Sequence, residues 1–151
     1  MLDDRRDAHV RASGADPIRP KALIIDDEAV LRRALSMLLQ RIEWTVDEAP
    51  DGAAALAMLS TSANHMYDVI LVDVRMPVVN GLEFCSRVIA DLPSAQNALV
   101  LCSASLDDSD VSEFVSKNGI RTLRKPFSVP ALMAALVAAR SRADAAGGGN
   151  K

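Results

Sequence analysis

The chain has 151 residues, half of them apolar and a quarter charged, with a formal net charge of −3. That length suits one domain with its own core rather than two. The slightly acidic balance, with no basic stripe interleaved with aromatics, excludes the electrostatic footprint of a direct nucleic-acid binder.

Residues 1–20 mix acids with arginines, carry Pro17 and Pro20, and show no periodicity and no apolar run of the signal-peptide type. They read as a flexible leader or linker. Ala22 to Ile25 is a short buried strand that ends on Asp26 and Asp27, with Glu28 next. From Ala29 to Gln40, Leu31, Ala34, Leu35 and Leu38 recur at helical spacing as a buried stripe, with Arg32, Ser36 and Gln40 off it. Val30, Arg33 and Met37 form a partly exposed strip beside that stripe. Trp44 to Ala49 is a second strand, and Pro50-Asp51-Gly52 turns into an Ala-rich helix reaching about Leu59, followed by a polar loop over 60–65.

The run Val69-Ile70-Leu71-Val72 reads as a strand buried on both faces, as in a parallel sheet, and it stops at Asp73. Pro77 forbids an immediate helix and Gly81 permits a turn, so Asp73 is expected on a loop, exposed. A helix from Gly81 to Asp91 presents Leu82, Cys85, Val88 and Ile89, and Pro93 closes it. Ala98 to Cys102 is a fourth strand, ending at Ser103. Asp107, Asp108 and Asp110 open a fourth helix that stops at Asn118-Gly119 in a left-handed cap. Ile120 to Arg124 is a fifth strand ending at Lys125-Pro126. Ser128 then caps a last helix built on Leu132, Ala135, Leu136 and Ala139, which ends near Ala145 before a loose tail.

Cys85 and Cys102 each sit in an apolar stretch without metal-ligand spacing, and read as reduced thiols of a cytoplasmic protein. No stretch is long enough to cross a membrane. The strand–helix unit repeats five times, which predicts an α/β fold: one (βα)5 doubly wound parallel sheet between two helix layers, a three-layer sandwich spanning about 21–145.

Asp26, Asp27, Asp73, Ser103 and Lys125 all fall at the carboxyl ends of their strands, and in a parallel sheet those ends share one edge. Three crowded acids favour protonation unless a cation sits among them. Oxygen ligands without His or Cys select a hard ion, and two or three carboxylates plus waters match Mg2+ better than Ca2+ or Zn2+. A divalent ion with a lysine prepares a pocket for a phosphoryl group, and a carboxylate can attack phosphorus to give an acyl phosphate. Asp73 is the best placed nucleophile.

Asp26-Asp27, Asp73 with Met76-Pro77 and Gly81, Ser103-Ala104 and Lys125-Pro126-Phe127 together resemble the receiver domain of two-component response regulators, of the flavodoxin-like, chemotaxis-regulator type, over about Lys21 to Arg142. The resemblance implies strand order 2-1-3-4-5 and phosphoryl transfer to Asp73 from a sensor histidine kinase or a histidine phosphotransfer protein. It implies that Asp27 and Asp73 bind Mg2+ directly, that Asp26 helps through water, and that the carbonyl of Arg75 adds a ligand. Ser103 would hydrogen-bond the phosphoryl group, Lys125 would neutralise it, and Lys125-Pro126 would be cis. The resemblance also implies a first helix that docks the phosphodonor, an unnamed downstream protein target, and a homodimer through the fourth helix, fifth strand and last helix.

Thr122 stands where the family usually has an aromatic ring that moves on activation, so a switch here must run through the loop after Ser103. Arg75 and Ser105 occupy places that tune the lifetime of the phosphoryl group. Arg75 also stands where a phospho-aspartyl hydrolase needs a second acid, which argues against turnover of small phosphate esters. Three further readings remain: a receiver cut from a longer hybrid kinase or regulator, a partner-only degenerate receiver, and a flavin-binding electron carrier. The last lacks a phosphate-cradling loop. His9 and His65 have no ligand partner nearby in sequence and stay structural.

Overall fold

The computed structural model describes residues 18–61 and 67–148. Most of the leader, His9, His65 and the last residues of the tail lie outside them. Five strands, β1 (Lys21–Ile25), β2 (Thr45–Ala49), β3 (Val69–Asp73), β4 (Leu99–Ser103) and β5 (Arg121–Arg124), alternate with five helices, α1 (Ala29–Arg41), α2 (Gly52–Thr61), α3 (Gly81–Asp91), α4 (Ser109–Asn118) and α5 (Val129–Gly148). All strand pairs are parallel and the order is β2-β1-β3-β4-β5, the flavodoxin-like arrangement.

The period-two alternation of the strands divides the core. Leu23, Ile25, Ile70, Val72, Leu99 and Leu101 point to one face, where they meet Ala55 and Leu59 of α2, Phe84, Cys85 and Val88 of α3, and Val111 of α4. Ala22, Ile24, Val69, Leu71, Val100 and Cys102 point to the other, against Leu35 and Leu39 of α1 and Leu132, Leu136 and Ala139 of α5. Each leucine buried this fully contributes about 1.5–3 kcal/mol. Covering on both faces is what lets the middle strands read as unbroken apolar runs.

Several local expectations are corrected. Ser36 is buried and Ala34 exposed, so the inner stripe of α1 is Leu35, Ser36 and Leu39; the Ser36 hydroxyl has no hydrogen-bond partner among the described residues. Pro93 starts a short 3-10 helix, Pro93–Ala98, rather than merely closing α3. The last helix runs past Ala145 to Gly148. Gly119 takes the left-handed cap at φ 63°, and the Ser128 hydroxyl accepts the N–H of Ala131.

Candidate functional site

Asp26 follows β1 directly, Asp73 and Ser103 are the last residues of β3 and β4, and Lys125 follows β5 directly. The parallel register aligns these ends: Asp73 lies opposite Cys102, and Ser103 opposite Arg124. The five residues singled out in the sequence therefore meet at one edge. Carboxylate oxygens of Asp26, Asp27 and Asp73 all lie within 4.8 Å of one another. A pocket of about 260 Å³ is lined by Asp27, Asp73, Arg75, Ser103, Ser105 and Lys125.

Asp73 is buried, at 7 % exposure, not exposed on a loop as the sequence suggested. It closes β3, and the chain turns only after Val74, whose N–H bonds the carbonyl of Cys102. Gly81 has a different role from a turn-former. A β-carbon there would fall on the carbonyl oxygen of Asp73 and 2.8 Å from Cα of Val74, so only glycine lets α3 start directly against this backbone. Between them, Met76 and Val79 enter the core while Val78, at φ 66°, is lifted into solvent. A β-branched residue at positive φ is strained, and burial of its neighbours over-determines it.

Lys125 spans two acids: its Nζ donates to Oδ2 of Asp26 at 2.9 Å and lies 3.4 Å from Oδ1 of Asp73. Asp26 is further fixed because its Oδ1 accepts the N–H of Glu28 and its carbonyl accepts from Arg32. Burial pushes the Asp73 carboxyl up from its usual value; the Lys125 charge opposes this, the Asp26 charge adds to it, and the Arg75 N–H opposes it without cancelling the rise. Burial alone would lower Lys125, but the Asp26 hydrogen bond and the charges of Asp73 and Asp26 outweigh it and the net direction is up. Burial likewise pushes both cysteine thiols up to about 12, so they stay protonated. The Ser103 hydroxyl accepts the N–H of Ser105, which leaves its own hydrogen to donate. Lys125-Pro126 is cis.

The donor set fits a hard divalent ion: three carboxylates and no His or Cys among the described residues of the cluster. The partner of the Arg75 side chain was not legible in the sequence. The Arg75 guanidinium pairs with Asp108, just before α4, thirty-three positions away. Only the spacing of the two loops in three dimensions reveals it.

The family model described as "Response regulator receiver domain" matches residues 22–137. The transcriptional regulatory protein ResD of Bacillus subtilis is 44 % identical over 68 residues, covering 45 % of this chain and 27 % of ResD. Hybrid signal transduction histidine kinase E of Dictyostelium discoideum is 32 % identical over 94 residues, 62 % of this chain and 5 % of that kinase. The chain thus spans only a minor part of the length of these relatives. Among solved structures, the chemotaxis protein CheY4 of Vibrio cholerae superposes with a TM-score of 0.67 at 28 % identity, covering 80 % of this chain and 98 % of CheY4.

Proposed function

Because the chain belongs to the response-regulator receiver family, we propose that it is a phosphoacceptor signalling module in which Asp73 takes a phosphoryl group from the phosphohistidine of a sensor histidine kinase or histidine phosphotransfer protein. The observation that carries this reading is the meeting of Asp26, Asp27 and Asp73 within 4.8 Å beside Lys125. An Asp73 carboxylate oxygen forms the new bond to phosphorus as the phosphorus–nitrogen bond to histidine breaks, and the electron pair stays with the imidazole. Lys125 offsets the charge brought in, and the Ser103 hydroxyl donates to a phosphoryl oxygen. Asp27, Asp73 and the Arg75 carbonyl would hold Mg2+ directly and Asp26 through water, and the bound ion would supply the remaining charge neutralisation. Arg75 stands where a phospho-aspartyl hydrolase carries the second acid that activates water, so the chain acts as a signalling part rather than as an enzyme of small phosphate esters.

The phosphodonor is proposed to dock on α1. Val30 is 86 % exposed and Met37 49 %, and with Arg33, Ala34 and Glu48 they line an open groove of about 560 Å³. An adaptable methionine beside apolar surface suits a helical partner. Output is proposed to run through contacts with an unnamed protein target in the cytoplasm. The α4–β5–α5 face is the proposed surface for a second copy. The short share of ResD and of the hybrid kinase that is matched favours one further reading, a receiver within a longer regulator or hybrid kinase.

Intact mass after incubation with acetyl phosphate and Mg2+ tests the central claim. A gain of one phosphoryl group, lost in Asp73→Asn and with EDTA, supports it. No gain in folded, Mg2+-binding protein favours strict dependence on a kinase or a receiver that only binds partners, and transfer from a panel of histidine kinases separates the two.

A further inference from the structure

Arg75 is anchored beside Asp73 but turned away from it. Its backbone N–H reaches Oδ1 of Asp73 at 3.4 Å, and it lines the same pocket, yet its guanidinium is taken by Asp108. Asp108 stands at the N-cap position of α4 without capping the helix through its side chain. Its neighbour Asp107 pairs with Arg124 of β5 at 3.2 Å. The loop that leaves Ser103 is therefore tied on one side to the loop after β3 and on the other to β5. These four side chains are between 48 % and 88 % exposed, so each pair is weak and exchangeable.

A phosphoryl group on Asp73 would present roughly two negative charges and three acceptor oxygens, against the single charge of Asp108. A planar guanidinium matches such a group in bidentate fashion. We propose that Asp108 is a positioning residue that holds Arg75 off the pocket until Asp73 is phosphorylated. The guanidinium then exchanges from Asp108 to the phosphoryl oxygens, where it slows hydrolysis and leaves Asp108 unpaired at the start of α4. This rests on the reading of Asp73 as phosphoacceptor. In the hydrolysis that is slowed, a water oxygen bonds to phosphorus as the bond from phosphorus to Asp73 breaks. The electron pair returns to the carboxylate, the water's proton passes to solvent, and phosphate leaves. A guanidinium over the phosphoryl oxygens obstructs the approach of that water. With Thr122 offering no ring to relocate, the broken ion pair is the message passed to α4.

The test follows the acyl phosphate by intact mass after acetyl phosphate is removed, in the full chain with Mg2+, for wild type, Asp108→Asn, Arg75→Ala and the double variant. Asparagine keeps the shape and the helix-capping preference of Asp108 without its charge. Asp108→Asn is expected to lengthen the lifetime about two- to fivefold, the range an exposed ion pair spans. Arg75→Ala is expected to shorten it, Asp108→Asn to add nothing in that background, and Asp108→Glu to restore the wild-type lifetime. A lifetime in Asp108→Asn that is unchanged or shorter, or the same lengthening without Arg75, overturns the proposal while leaving the phosphoacceptor reading intact. Folded wild type that takes no phosphoryl group either from acetyl phosphate or from a panel of phosphorylated histidine kinases overturns both.

Discussion

The ammonium of Lys125 lies 2.9 Å from Oδ2 of Asp26, ninety-nine positions earlier in the chain, and both side chains are largely removed from solvent. A cation so placed holds two carboxylates together that would otherwise repel.

Lys125→Met keeps the aliphatic stem and removes the charge, leaving Asp26 facing Asp73 uncompensated. Loss of one partner of a buried pair costs about 3 kcal/mol. The Tm of the Mg2+-free protein is expected to drop, and added Mg2+ to recover more of it in the variant than in wild type. In the wild type the folded pKa of Lys125 is raised, so its share of stability is complete below the unfolded value of 10.5 and is lost as pH rises through the folded one. Equal Mg2+ responses in variant and wild type would count against this balance of charges.

Asp73 has the opposite consequence at neutral pH. Its folded pKa lies above the ordinary 3.8, so the folded chain binds that proton more tightly than the unfolded chain. The stabilisation is complete below 3.8 and is lost as pH rises through the folded pKa. At pH 7 the charged carboxylate is a cost. Asp73→Asn is therefore expected to raise the Tm of the Mg2+-free protein at pH 7. The gain should shrink toward pH 4. Thermal scans at the two pH values decide it, and an unchanged Tm at pH 7 contradicts it.

Gly81→Ala presses a methyl group onto the Asp73 backbone. Overpacking of this kind costs about 1–3 kcal/mol. Urea unfolding should show the loss, together with weaker Mg2+ binding, because the strain falls on a residue proposed as ligand. Loss of stability with unaltered Mg2+ affinity would mean that α3 yields instead.

Met37→Glu tests the groove on α1. Transfer from a cognate histidine kinase is expected to slow about fivefold or more, as for removal of a central interface contact. Labelling by acetyl phosphate should be unaffected. Equal loss with both donors would point to misfolding.

What could be read from the sequence follows from how local each cause is. An apolar run that stops at an acid announces a strand and its end, which is why Asp26, Asp73 and Lys125 could be assigned to one edge before any coordinates. The burial of Asp73 depends on Gly81 and Val74, and the placement of Ser36 depends on how α1 rolls against the sheet beside Trp44. Neither is written in a local pattern. Arg75 and Asp108 are thirty-three positions apart and share no periodicity, so their pairing emerges only when two loops meet.

The alternation of β3 between two cores also sets where the molecule can breathe. Val69 and Leu71 are gripped by one helix layer, Ile70 and Val72 by the other, and all four are within 2 % of full burial. Amides of this strand are the ones whose exchange should demand global opening, whereas the loops carrying Arg75 and Asp108 can open on their own. The Asp73 carboxylate is thus mounted on the stiffest rail of the protein, and the parts that must respond to it hang from the loosest.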